Sequence, residues 1–498
     1  MLATIIRKEL QAILLSPKFA VTFASCTLLI LLSVVVGIQE YQAGVEQYEA
    51  AQQLNRQALV EQSWGHFSTR AYRPPDPMQI FVSGIHNDLG RLSAISQQSE
   101  IKLENSIYSD DPLFAVFRFV DFRFIVMVVL SLFAILFTYD AVNGEREGGT
   151  LQLTFSNPVP RAHFILGKFA GSWLGLVVPL LVPVLLSVLL VMLWEIPMTG
   201  DQWAKLAALL GVSLLYFTFF ICFGVLMSCL ARRSSVSFLL SLVAWVFLVL
   251  IVPRAGVMAA GQLVSVPSVA EVEARQDGFG QDQWTRHREG LTGRWHNRRL
   301  DGQKLGSEGR TTFNKENMSR WMMEDNEERK KIQAAISEYA RKLNEDRRNR
   351  LAQQERLAFT LSRFSPASAY QLAVMNLAST DIVLKPRSED AMQAYKEELL
   401  QVSEQKAKEQ GQSFGRTIAI TAGNRSKKKG SSSGGFRMSF NTHDSPTLDP
   451  SEVPSYDQPV PTFRQAAAPA MIDLTLLALY SLASFAGAFV VFLRSDVR

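Results

Sequence analysis

Three cysteines in 498 residues, Cys26, Cys222 and Cys229, exclude a disulfide framework. Each lies inside an apolar stretch, where a buried free thiol is the usual state. The long polar blocks hold no cysteine, so packing alone must hold them. There is no G-x-x-x-x-G-K-[ST] phosphate loop: Gly167-Lys168 runs into Phe169 and lacks the upstream glycine. A chain without it is not expected to hydrolyse ATP alone. H-E-x-x-H, C-x-x-C and G-x-S-x-G are also missing, which argues against a membrane-anchored enzyme. His66, His86, His287, His296 and His443 fall in the polar blocks and read as surface histidines; His287 and His296 are too loosely spaced for a metal motif, and no metal is expected. The net charge of +5, from 51 Lys+Arg against 46 Asp+Glu, is too slight and too scattered for a nucleic-acid partner.

What is present is segregated. Uncharged runs occupy 19–38, 124–139, 169–194, 206–231, 234–253 and 474–493. A helix needs about 20 residues to cross the hydrocarbon, so these predict six transmembrane helices, at 19–38, 122–139, 164–194, 203–231, 234–253 and 471–493. The first run is too long for a signal peptide, and no A-x-A site follows it, so it reads as a retained anchor. The spans carry no ionisable residue in their interiors apart from Asp473 at an edge, which disfavours a proton-driven carrier. Pro179 and Pro183 in the third run predict a kink or break.

Lys and Arg accumulate in the short connections: Arg7, Lys8 and Lys18; Arg146, Arg161 and Lys168; Arg232 and Arg233; Arg494 and Arg498. By the positive-inside rule both termini are cytoplasmic, with 1–18 an amphipathic interfacial helix and 494–498 a tail. The polar blocks 39–121 and 254–470 then lie outside the cytoplasm. Both read as mainly helical: 39–64 is rich in Glu, Gln, Ala and Leu and extends the first span, whereas Arg73-Pro74-Pro75-Asp76-Pro77 stops any helix. Ile332, Ile336, Tyr339 and Leu343 recur at helical spacing within 317–362, and a second helix is predicted at 388–409. Phe364-Ser365-Pro366 marks a corner between them. Residues 425–462 are flexible in this reading, opening with RSKKKGSSSGGF and ending Pro-rich. The fold class is thus an all-α integral membrane protein with a large extracytoplasmic region.

The loop 140–163 reads as a short charged helix, a Gly pair, a second amphipathic stretch and a Pro-bounded turn. It suits either a docking element for a soluble partner or a plain connector with snorkelling basic residues. Its sequence, Gly144-Glu145-Arg146-Glu147-Gly148-Gly149-Thr150-Leu151 continuing to Ser156-Asn157-Pro158-Val159-Pro160-Arg161 and Gly167-Lys168, resembles the loop between the second and third spans of ABC-2 type ABC transporter permeases. Ile5 to Pro17 is similar to the N-terminal interfacial helix of that family. The two large insertions resemble a subgroup grouped with multi-copper enzyme maturation permeases, as do 364–370 and Asn376-Leu377-Ala378-Ser379-Thr380-Asp381, where Ser379 stands in place of the usual Gly. No Cys- or Met-rich cluster supports a copper role.

The resemblance implies that Glu145, Arg146, Glu147, Gly148, Gly149, Thr150 and Leu151 form a coupling helix seated on a separate ABC ATP-binding subunit, with ATP and Mg held there and no cofactor bound by this chain. It implies a dimer with a second copy or a related permease, contact with membrane lipid, location in the bacterial inner membrane, and export of an unknown substrate. A rival is a non-transporting mechanotransmission subunit acting on a periplasmic partner. Long outer helices continuous with the spans would favour it, and an open cavity would favour transport.

Overall fold

A computed structural model describes residues 2–60, 62, 68–86, 88–96, 121–304, 315–409 and 449–494. Among the described residues the fold is mainly helical, and six helices are long and apolar enough to cross a membrane. In chain order the helices are α1 (Leu2–Leu14), α2 (Pro17–Val60), α3 (122–138, with a π-turn over Ile125–Leu130), α4 (Asn143–Glu147) and α5 (Thr150–Phe155). Then follow α6 (Arg161–Leu193), α7 (Gly200–Leu230), α8 (Ser234–Leu263), α9 (Val269–Lys304), α10 (Lys315–Ser362), α11 (Pro366–Ala378), α12 (Leu384–Glu409) and α13 (Phe463–Arg494). The chain divides into two compact units, 1–249 with 366–498, and 250–365.

In the first unit α7 is the central helix, packed along α13, α3 and α11. Its start is fixed by a capping box in which Thr199 and Gln202 satisfy each other's backbone N–H groups. Asp121 caps α3 by a single bond, accepting from the Phe124 N–H at 2.8 Å. Pro179 and Pro183 do not break α6, which runs unbroken from Arg161 to Leu193. The Ser187 hydroxyl donates back to the Pro183 carbonyl at 2.9 Å within the same helix.

Two features depart from the expected helical blocks. Within 39–121, Ser68–Tyr72 (β1) and Leu92–Ser96 (β2) pair antiparallel, from Ser68 opposite Ser96 to Tyr72 opposite Leu92. The hairpin closes a small core of Leu59, Ala71, Ile95, Met392, Tyr395 and Leu399, shared by the end of α2 and by α12. Short strands of this kind carry too weak an alternation to be distinguished from loop. The stretch expected to be flexible is pinned where it is described: Lys406 pairs with Glu452 at 2.8 Å, Tyr395 donates to the Pro454 carbonyl at 2.9 Å, and Gln458 donates to Ser388 at 3.1 Å. Residues 425–448 lie outside the described residues.

The corner at Pro366 opens a helix the sequence reading missed. α11 is buried along nearly its whole length against α7 and α13. Tyr370 stacks on Tyr216 at 4.5 Å, and its hydroxyl meets that of Ser213 at 3.1 Å. Tyr216 donates in turn to the Met127 carbonyl at 2.9 Å. Ser213 lies about 20 Å along α7 from Gly200, so α11 reaches the apolar depth of that span.

In the second unit the end of α8 packs on α10, and α9 pairs with α10 through Phe279 stacked on Tyr339 at 4.3 Å. His287 is not a surface residue. It is buried, with Asp325 3.0 Å from Nε2 and Glu328 3.5 Å from Nδ1. His86 is buried too, and its carbonyl accepts from Arg73 at 2.5 Å. Burial and the neighbouring Arg91 lower the Arg73 guanidinium to about 10.

Candidate functional site

Between α3 and α6 the chain turns back through α4 and α5. Gly149 separates the two short helices at φ 68°, a left-handed conformation that glycine adopts without strain. The loop is anchored at four points. The N–H groups of Val142 and Asn143 both donate to the Ser228 hydroxyl of α7, at 2.9 and 3.3 Å. Leu151 is buried in a cluster with Phe164, Ile165, Val225, Cys229 and Phe492, where Phe155 adds ring contacts at 5.4 and 6.1 Å. Glu147 caps the start of α8, accepting from the Ser234 N–H at 2.9 Å and its hydroxyl at 2.7 Å, so a carboxylate meets the positive end of a helix.

The fourth anchor is ionic. Glu145 Oε1 lies 2.7 Å from Lys168 Nζ of α6 and 2.9 Å from Lys8 Nζ of α1. Lys168 Nζ also lies 2.6 Å from Glu9 Oε2 of α1. The Lys168 and Glu9 side chains are only 5% and 9% exposed. Removing an ion from water costs several kcal/mol, which only close, multiple pairing offsets; here two ammoniums and two carboxylates alternate. Burial pushes the Glu9 carboxyl above its ordinary value, against the pull of Lys168. α1 comes this close because Gly167, Gly171 and Gly175 line one face of α6. A Cβ at Gly171 would stand 2.5 Å from the Glu9 Cβ, and one at Gly167 2.7 Å from the Ile5 Cγ2.

The seven residues expected to form one docking surface therefore separate. Glu147, Gly148, Gly149 and Thr150 are exposed, Glu145 and Arg146 are half-buried, and Leu151 is turned inward. Nothing stands within 4 Å of a Cβ built at Gly149, so its outer side is open. The apolar residue that faces out is Leu153, 68% exposed, two positions beyond Leu151 and so on the opposite side of α5. Sequence reasoning missed Leu153, Lys168 as an ion-pair partner, and the glycine face; two overlapping G-x-x-x-G patterns over 167–175 were the available signal for the last.

A family model described as ABC-2 family transporter protein matches residues 3–497. The chain belongs to the ABC-2 transporter family. Over 50 residues it is 46% identical to the Probable ABC transporter permease protein NosY of Stutzerimonas stutzeri, and equally to that of Pseudomonas aeruginosa. These matches cover 10% of this chain and 18% of each relative. Family membership and the six apolar helices among the described residues mark the protein as a multi-pass membrane protein of that family.

Proposed function

We propose that this chain is the permease subunit of an ATP-driven ABC-2 transporter, powered by a separate ATP-binding subunit that docks on the exposed side of α4 and α5. The supporting observation is the division of the loop. Its inner side is tied to α1, α6, α7 and, through Glu147, α8, while Gly148, Gly149, Thr150 and Leu153 face outward. A load applied to the outer side reaches four helices at once. The basic short connections support a cytoplasmic side for this loop and both termini, in a protein of the inner membrane. ATP and Mg belong to the partner, two of which serve a permease dimer, and the direction is export. A second reading, force transmission to a periplasmic partner without transport, is favoured by the unbroken 44-residue α2.

The test is co-purification of the full chain in detergent with its ATP-binding subunit. Leu153→Arg alters an exposed side chain, so the fold should persist while binding weakens by about tenfold or more, the loss expected of an apolar interface anchor. Glu145→Ala with Arg146→Ala should change ATP turnover in the complex. Undiminished binding by Leu153→Arg, or no ATP-binding subunit bound by wild type, overturns the proposal.

A further inference from the structure

Lys168 is the charged group at which α1, the docking loop and α6 meet among the described residues. Its Nζ contacts Glu9 of α1 at 2.6 Å and Glu145 of α4 at 2.7 Å, and Lys8 closes the ring back to α1 from the far side of Glu145. Both ends of the ring are therefore on α1. That helix cannot drift to relax it, because the glycine face of α6 leaves no room: the Cβ positions at 167 and 171 are occupied by Ile5 and Glu9. The loop's ionic link to α1 is carried by Glu145, beside an apolar one in which Ile5 packs against the cluster that holds Leu151. An amphipathic helix lying in a membrane surface needs no buried ions. Burying a Lys–Glu pair there is costly unless the pairing serves position.

We infer that Lys168 is the positioning residue of the docking loop, and that α1 moves with the loop and the start of α6 as one ion-locked body. The mechanical consequence rests on the docking proposal; the lock itself does not. A displacement imposed on α4 by a partner subunit passes from Glu145 to Lys168 directly into α6, and from Glu145 to Lys8 and from Lys168 to Glu9 into α1. The α1–loop distance then stays constant through the ATP cycle while both move relative to the remaining helices.

The experiment uses the full chain in lipid nanodiscs, spin-labelled at Gln11→Cys on α1 and Ser156→Cys after α5. Both positions are exposed, and the three native cysteines are buried. Wild type should give one narrow distance. Lys168→Met leaves Glu9 and Glu145 facing each other without their shared cation, and the population at that distance should fall about tenfold. Lys168→Arg keeps the charge and should recover most of it, which a purely packing role for the side chain would not predict. Lys8→Met, at an exposed position, should widen the distribution less and serves where Lys168→Met does not fold. A narrow distance in folded Lys168→Met, or equal broadening by Met and Arg, or no widening in Lys8→Met, overturns the lock. In the complex, the wild-type distance should be the same with ADP and with a trapped ATP state, and differ between them in Lys168→Met. If no ATP-binding subunit binds, the docking proposal falls, while the nanodisc result still decides the lock.

Discussion

Ser379 holds its backbone at φ 58°, in the left-handed region that costs a residue with a Cβ about 1–2 kcal/mol. It follows α11, where the Thr380 N–H closes back on the Met375 carbonyl at 3.0 Å. Glycine is usual at this place in the subgroup the sequence resembles, and the conformation explains why. The serine side chain makes a bond that glycine could not, because its hydroxyl lies 3.2 Å from Nζ of Lys205, which is fully buried at the start of α7. A hydrogen bond to a charged group contributes about 1.5–3 kcal/mol, so the bond outweighs the strain. Ser379→Gly should therefore lower stability by about 1 kcal/mol in wild type. In a Lys205→Met background, where the bond no longer exists, the same change should raise stability by about 1 kcal/mol. Thermal unfolding of the four proteins in one detergent checks the sign in each background; the same sign in both means that strain and bond are not opposed in this way.

At the scale of elements the close approach of α1 to α6 makes a comparable test. Gly171→Ala places a methyl 2.5 Å from the Glu9 Cβ, and overpacking a fixed contact costs about 1–3 kcal/mol. Gly211→Ala in α7, with nothing within 4 Å, should instead gain up to about 1 kcal/mol from helix propensity. Unfolding of the two variants beside wild type separates them; a Gly171→Ala protein as stable as Gly211→Ala refutes the tight seat. The elements themselves were unevenly legible in the sequence. The six apolar helices followed from uncharged runs, because a bilayer forbids charge over about 20 residues. α10 and α12 followed from helical spacing among charges. α9 was missed because Gly278, Gly280 and Gly290 punctuate its pattern, and α11 because its thirteen residues are too few to read as a span. The two short helices of the loop and the glycine pair between them were legible in the sequence, but which residues face inward was not. Glu9 and Lys168 are 159 positions apart, and no local pattern announces a contact between them.

At the scale of the whole molecule the question is what a motion imposed on the proposed docking loop would do. α2 is about 66 Å long, against a hydrocarbon thickness of about 30 Å, so half of it extends beyond the apolar core. Its far end is not loose: Leu59 belongs to the core shared with the β-hairpin and α12, and Asn55 donates to Thr69 at 2.9 Å while accepting from the Arg70 N–H at 3.1 Å. An unbroken helix anchored at its far end transmits tilt with little loss, whereas a cargo pathway needs no such continuity. Ala43→Pro breaks the helix at an exposed position just past the apolar run, at a cost of about 3 kcal/mol, and leaves the docking loop untouched. With spin labels at Gln11→Cys and Gln53→Cys, trapping ATP in the complex should change the distance in wild type. In Ala43→Pro, ATP binding should persist and that change should vanish if α2 is the transmitting rod. An unaltered response after the break would leave α2 as a passive support and make transport through the helices the sole use of the motion.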